Sequence, residues 1–170
     1  MKCIVPPSAE FAYPTLPITA AKVAALADSL IGARLHYGLG AKIPLHLQAQ
    51  DLAAHGITAC DCSAESRWLL FHALGQPADF DFPDGSVQQH EYIAAKGFKK
   101  STYEDATNHD GVIRIAFLEP NGSEPGHVLL VDGQGRTCES HGGVGPSHRV
   151  WDADQHGFMR EMAVFALALP

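Results

Sequence analysis

The sequence predicts an α+β fold in which helices come first and a meandering antiparallel sheet follows. Two stretches with apolar residues at helical spacing, Ala20–Ala33 and Ser63–Leu74, lie in the first half of the chain. Short segments of β-branched or alternating residues begin at Val112 and are separated by glycine-containing turns. The sequence contains no internal repeat, so we expect a single folded domain.

The length and composition support this organisation. A chain of 170 residues suits one domain with a sizeable core, and its hydrophobic fraction of 46% is ordinary for a globular protein. Residues 1–17 contain four prolines and are predicted to form an extended N-terminal arm. Residues 18–170 are predicted to form the single domain.

The first predicted helix runs from Ala20 to Ala33, with Thr19 as a suitable N-cap. One face carries five apolar residues: Val23, Leu26, Ala27, Leu30 and Ile31. A glycine-containing turn is expected at residues 36–40. Residues 41–60 show no clear pattern apart from a short helix-like piece, Leu47–Ala54.

The second main helix is expected to run from Ser63 to Leu74 and to end at the Gly-Gln-Pro sequence that follows. Residues 76–85 are predicted to form a loop. Ser86 is the predicted N-cap of a short helix that reaches Lys96 and is closed by a glycine.

The sheet is expected to occupy the second half of the chain. The predicted strands are Val112–Leu118, His127–Val131, Arg136–Ser140, His148–Trp151 and Met162–Leu169. The sequence Asp-Gly-Gln-Gly at residues 132–135 indicates a hairpin between the second and third of them.

Charge and cysteine content exclude some classes of function. The formal net charge of −7 argues against a nucleic-acid-binding protein. The four cysteines do not form the pattern of a small secreted disulfide framework, so at least one is expected to be a working thiol. No apolar run approaches the roughly 20 residues that span a bilayer. The first residues lack an apolar signal-peptide core, which predicts a protein made in the cytoplasm.

Cys62 is the candidate nucleophile because it stands where an irregular stretch meets the predicted helix at Ser63. Unpaired N–H groups and the positive end of the helix dipole favour a thiolate at such a position. A single cysteine is more often a small buried residue than a nucleophile, so this prediction needs a base elsewhere in the chain.

His127 is the candidate base because it opens a strand directly after a loop, where its side chain can meet a helix N-terminus. A third polar group must orient the imidazole. A hairpin that turns around Gly133 places Glu139 opposite His127, where a carboxylate would stabilise an imidazolium. A turn shifted by one residue brings Ser140 opposite instead, and His141 is close by, so the choice between Glu139 and His141 stays open.

A structural zinc site is an alternative use of the same region. Cys60 and Cys62 could combine with Cys138 and His141 as four soft ligands, although the first pair is more closely spaced than usual. The three aspartates of residues 76–85 indicate a solvated loop face rather than a metal site. The favoured prediction contains neither a metal nor an organic cofactor.

Two sequence blocks resemble the NlpC-type cell-wall cysteine peptidases, which are papain-like enzymes that cut peptidoglycan stem peptides. The sequence Asp-Cys-Ser-Ala at residues 61–64 is similar to the family's Asp-Cys-Ser-Gly signature, with alanine in place of glycine. A Gly-His-Val sequence opens the strand at His127, and Glu139 stands twelve positions later, where the family has its third polar residue. Residues 37–40, Tyr-Gly-Leu-Gly, stand where the family has a Tyr-x-Trp-Gly-Gly motif but lack its tryptophan.

The resemblance covers roughly residues 22–151 and implies a papain-like fold for residues 18–170. It implies three catalytic residues: Cys62 as nucleophile, His127 as general base and acid, and Glu139 as the group that orients the imidazole. It implies three substrate-binding residues: Tyr37, Asp61 and Ser63. The carboxylate of Asp61 would hold the free amino end of a stem peptide, and the N–H of Cys62 would meet the oxyanion.

The resemblance therefore predicts a cysteine peptidase or amidase that hydrolyses amide bonds in peptidoglycan stem peptides. The lack of a signal peptide fits a phage lysin or virion enzyme, or an effector that a secretion machine delivers and an immunity protein inhibits. Two alternatives stay open: the same three residues acting on another amide or acyl substrate, and a non-catalytic phage structural component. The expected partner is the stem peptide, with no nucleic acid and no membrane span.

Overall fold

A computed structural model describes residues 13–168, and in this range the chain is an α+β structure. Residues 13–17 of the predicted arm contain no helix or strand, and residues 1–12 lie outside the described range. The backbone N–H of Leu16 donates to the carbonyl of Leu167 at 2.7 Å, so the chain is tied to the sheet before the first helix begins.

The three longer helices agree with the predicted ones to within two residues at each end. They are α1 (Ala20–Gly32), α2 (Cys62–Ala73) and α3 (Ser86–Ala95). Thr19 caps α1 as predicted, since its hydroxyl accepts a hydrogen bond from the N–H of Lys22. The N-cap of α3 is Gly85 rather than the predicted Ser86, which is the first helical residue.

The region between α1 and α2 differs from the prediction. The expected turn at residues 36–40 begins with a short strand, β1 (His36–Tyr37), which pairs in parallel with β2 (Ala59–Cys60). The helix-like piece Leu47–Ala54 is replaced by two short 3₁₀ turns, Ala49–Asp51 and Ala53–His55. Both strands contain only two residues, which is too short for a recognisable alternation.

A six-stranded antiparallel sheet forms the second half of the chain, in the strand order β3-β8-β4-β5-β6-β7. Its strands are β3 (Lys99–Ser101), β4 (Ile113–Leu118), β5 (His127–Val131), β6 (Thr137–His141), β7 (Gly145–Ser147) and β8 (Ala163–Ala168). The meander from β4 to β6 is as predicted. The prediction omitted β3 and the short helix α4 (Tyr103–Thr107).

The predicted strand His148–Trp151 is wrong, because the edge strand β7 lies just before it at Gly145–Ser147. Val150 makes only an isolated bridge to Arg136. Gly145 has a φ of +87°, and a Cβ on it would lie 2.2 Å from the carbonyl oxygen of Leu35. This glycine therefore lets β7 pass next to the chain that leads into β1.

Alternating residues of the sheet enter two separate hydrophobic clusters. Val128 and Leu130 pack in the larger cluster with Trp68 of α2, whereas Leu129 and Val131 pack in the smaller one. Helix α2 lies against β5 and β6, which brings its N-terminus near the start of β5. Among residues 13–168, no helix combines the length and apolar character needed to cross a membrane.

Candidate active site

Cys62 is the first residue of α2, and a single residue, Asp61, separates it from the end of β2. Asp61 is the N-cap of the helix, and its carboxylate accepts a hydrogen bond from the N–H of Ala64 at 2.7 Å. Cys62 is a free thiol and is 6% exposed. Its backbone N–H belongs to the first turn of the helix, where N–H groups have no intrahelical acceptor.

His127 and Glu139 form the central polar contact of the site. The Nε2 atom of His127 lies 2.7 Å from Oε2 of Glu139, whose side chain is 0% exposed. His141, the other candidate for the third position, instead places its Nδ1 atom 3.2 Å from the carbonyl oxygen of Gly142. The geometry therefore pairs His127 with Glu139.

The predicted register of the β5–β6 hairpin is wrong by two residues. Val131 faces Thr137 and Leu130 faces Cys138. When this register is extended along both strands, residue 141 lies opposite His127, and Glu139 does not. A shift of two residues leaves every side chain on its face of the sheet, whereas a shift of one would move it to the other face. Glu139 therefore reaches His127 as a diagonal neighbour on the same face.

The neighbours of Glu139 keep its carboxylate ionised. The hydroxyl of Thr137 donates to Oε1 at 2.7 Å, and Nε of Arg149 lies 3.8 Å from the same oxygen. Burial alone would raise the pKa of Glu139, but the hydrogen bond and charge of His127, together with these two groups, lower it below its usual value.

The environment of His127 favours the imidazolium. Burial opposes protonation, but hydrogen bonding and charge interactions with Cys62 and Glu139 outweigh it and raise the pKa of His127 to about 9. Because Nε2 is bonded to Glu139, Nδ1 is the ring nitrogen left to exchange a proton with the thiol.

The three residues predicted to bind substrate lie beside Cys62. Asp61 and Ser63 flank it in sequence, and the Ser63 hydroxyl donates to Oδ1 of Asp61 at 2.8 Å. Tyr37 is opposite Cys60 in the β1–β2 pair. Burial, followed by the negative charges of Cys62 and Asp61, raises the pKa of Tyr37, while the charge of Lys42 lowers it.

An ammonium group that the sequence analysis did not anticipate also lies at this position. Nζ of Lys42 is 2.7 Å from Oδ2 of Asp61, 2.9 Å from Oδ1 of Asp84 and 3.2 Å from the hydroxyl of Ser63. Asp84 belongs to the loop that was predicted to be a solvated face. Lys42 lies in the stretch without a clear pattern, so no sequence signal linked it to the site.

Gln89 of α3 is a second residue that the sequence did not reveal. Its buried amide donates to the carbonyl oxygens of Ser63 and Pro83, at 2.9 and 3.1 Å, and accepts from the hydroxyl of Ser66 at 2.8 Å. These bonds fix the first turn of α2 against the loop that carries Asp84.

Glu65 is a second buried carboxyl group near the site, one helical turn after Cys62. Neither of its oxygens has a hydrogen-bond partner among residues 13–168. Burial, followed by the nearby charges of Glu139 and Cys62, raises its pKa well above the usual value, while His127 acts in the opposite direction. The neutral acid is therefore the favoured form of Glu65.

The residues of the alternative zinc site do not form a metal-binding cluster. Within residues 13–168, no three histidine, cysteine, aspartate or glutamate side chains are arranged to hold a metal ion. Cys60 is fully buried, and burial raises its pKa to about 12. Cys138 is also buried, with its pKa raised well above the usual value for the same reason.

The fold and the site thus define an α+β protein in which a helix-start cysteine, a histidine and a buried glutamate converge. No model of a known protein family matches the chain, and a search of curated proteins finds no match. The function is therefore inferred from the geometry of the site and from the sequence blocks that carry its residues.

Proposed function

We propose that the chain is a papain-like cysteine peptidase or amidase that hydrolyses amide bonds in peptidoglycan stem peptides. The observation that carries this proposal is the contact between His127 and the buried carboxylate of Glu139, beside a cysteine at the first turn of a helix. A thiol, an imidazole and an orienting carboxylate are the groups that nucleophilic cleavage of an amide requires.

The first half of the reaction forms an acyl-enzyme. His127 takes the proton of Cys62, and the thiolate attacks the carbonyl carbon of the amide. The backbone N–H of Cys62 donates to the oxyanion of the tetrahedral intermediate. The imidazolium then protonates the leaving amine as the C–N bond breaks, which leaves a thioester on Cys62.

The second half of the reaction is hydrolysis of the thioester. His127 removes a proton from water, and the resulting hydroxide attacks the thioester carbonyl. The C–S bond breaks, a carboxylic acid leaves, and the thiolate of Cys62 recovers the proton from His127. Glu139 remains ionised throughout and stabilises the imidazolium that forms in each half.

The substrate class rests on the two sequence blocks described above, because a fold does not determine a substrate. Asp61, Ser63 and Tyr37 border Cys62 and are the proposed substrate-binding residues. That Asp61 holds a free amino end stays a prediction, because Lys42 already contacts its carboxylate.

Purified sacculi provide the test. The wild-type protein is expected to release soluble muropeptides, and Cys62→Ala is expected to release none. Cys60→Ala is the matched control, since it removes a buried thiol two residues away, and it should retain activity. Equal product profiles for wild type and Cys62→Ala would refute the proposal.

A thiol-reactive probe separates the enzyme from a non-catalytic protein with the same fold. An activated Cys62 is expected to react with iodoacetamide much faster than Cys138, which is buried and has a raised pKa. Equal reactivity of the two thiols would favour the structural role.

A further inference from the structure

The ammonium group of Lys42 contacts the two residues that flank Cys62 in sequence. Its three contacts are the carboxylates of Asp61 and Asp84 and the hydroxyl of Ser63. An ammonium has three N–H donors, so these contacts account for all of them. The chain has therefore placed its own cation next to the residue that would attack the substrate.

The carboxylate of Asp61 has no open position while Lys42 stays in place. Its Oδ1 atom accepts from the N–H of Ala64 and the hydroxyl of Ser63. Its Oδ2 atom accepts from the N–H of Gly40 at 3.1 Å and from Lys42. A carboxylate offers about four lone-pair positions, and all of them are used.

Lys42 keeps its charge in this position. Burial works against its ammonium form, but hydrogen bonds and attraction from Asp61 and Asp84 outweigh burial and raise the pKa of Lys42. The same hydrogen bond and charge lower the pKa of Asp84, whose burial acts in the opposite direction. A second ammonium would therefore meet a like charge at this site as well as occupied acceptors.

We propose that Lys42 makes this enzyme select stem peptides whose amino end is acylated over peptides that end in a free amine. An amide-linked amino end carries no charge and does not need the acceptors that Lys42 occupies. This inference rests on the proposed function, because it concerns the substrate of the same site. It is an alternative to the prediction that Asp61 holds a free amino end, and the experiment below decides between the two.

Two synthetic stem peptides test the proposal, identical except that one has a free amino end and the other is N-acetylated. The wild-type kcat/KM is expected to favour the acetylated peptide by about tenfold, the effect of one unfavourable charge contact. Lys42→Met frees the two carboxylates and should reverse the ratio. Lys42→Arg keeps the charge and should retain the wild-type preference.

Lys96→Met is the matched control, because Lys96 is also an ion-paired lysine but contacts Asp81, away from Cys62. Its ratio of the two kcat/KM values should equal that of the wild type. A wild-type preference for the free amine, or one ratio shared by wild type and Lys42→Met, overturns the proposal. The second result would mean that a substrate amine displaces Lys42, whose side chain is 43% exposed.

Calorimetric binding of the same peptides to Cys62→Ala, with and without Lys42→Met, separates this proposal from the proposed function. Tighter binding of the free-amine peptide after Lys42→Met supports the role of Lys42 even where hydrolysis is too slow to follow. If the peptides are hydrolysed but Lys42→Met does not change the preference between them, the inference about Lys42 fails and the proposed function stands. If neither peptide binds and neither is cleaved, the stem-peptide function and this inference both fail.

Discussion

Replacing Glu139 with glutamine is expected to lower the pKa of His127 by about one to two units. The ring titrates at about 9 in the folded protein, against an ordinary value of 6.5. This difference of about 2.5 units corresponds to about 3 kcal/mol at 1.36 kcal/mol per unit. Cys62 and Glu139 together raise the pKa of His127 against the effect of burial, so loss of the Glu139 charge should remove only part of this increase of about 2.5 units.

The sign of the effect on stability follows from the raised pKa. Folding favours the protonated ring, so this contribution is fully present below pH 6.5 and is lost as the pH rises through about 9. Glutamine has nearly the size of glutamate and can still accept a hydrogen bond from Nε2. The substitution therefore changes the charge beside the ring with little change in shape. In the variant, the contribution of the protonated ring to stability should be lost at a lower pH than in the wild type.

NMR titration of histidine-labelled protein measures the pKa directly, without any assumption about the substrate. The chain contains ten histidines, so His127→Asn is needed to assign the signal. Glu124→Gln is the matched control, because this exposed carboxyl lines the same surface pocket as His127 and its side chain makes no hydrogen bond to His127. A midpoint that stays near 9 in Glu139→Gln would refute the argument that Glu139 stabilises the imidazolium.

Three further predictions concern the surroundings of the site. Only the folded protein keeps the buried carboxyl of Glu65 protonated, so the free energy of unfolding should fall above pH 4.5 by up to about 1.4 kcal/mol per pH unit, and Glu65→Gln should remove this fall. Urea unfolding from pH 5 to 8 measures the slope, and an equal slope in both proteins would contradict the prediction. Mass-spectrometric mapping should find that iodoacetamide modifies Cys62 well before it modifies the fully buried Cys60. The reverse order would show that burial does not control the reactivity of these thiols. Gln89→Leu should lower the free energy of unfolding by about 1–3 kcal/mol because it leaves buried polar groups without partners, whereas the exposed Gln88→Leu should change it little; equal losses would be evidence against the role of these hydrogen bonds.

The main helices and the central strands were predictable because their signals are local. Thr19 is a good N-cap next to an amphipathic stretch, and β4 is rich in β-branched and aromatic residues. The short elements were not predictable. Strands β1 and β2 contain two residues each and exist because the chain on either side of residues 38–58 is brought together in parallel. Pairing of that kind is a tertiary effect and leaves no periodicity in the sequence.

The site was predictable to the extent that its residues belong to recognisable blocks. Cys62 is marked by the helix start and His127 by the strand start, and Glu139 was found although the register used to find it was wrong. Alternate residues of a strand lie on the same face of the sheet, so a register error of two residues left Glu139 on the same face as His127. Lys42 reaches the site from a segment without a pattern, and Arg149 from a segment that was wrongly predicted to be a strand. Only the folded chain shows their contacts.

Asp61 links the start of α2 to the specificity that we propose for Lys42. Its Oδ1 atom caps the helix that carries Cys62, while its Oδ2 atom holds Gly40 and Lys42. Asp61→Ala would therefore remove a cap worth about 1 kcal/mol and release Lys42 at the same time, so a change in substrate preference could have either cause. Lys42→Met leaves the bond from Ala64 to Asp61 intact. Substitution of Lys42 is thus the change that separates the choice of substrate from the stability of the helix that positions the nucleophile.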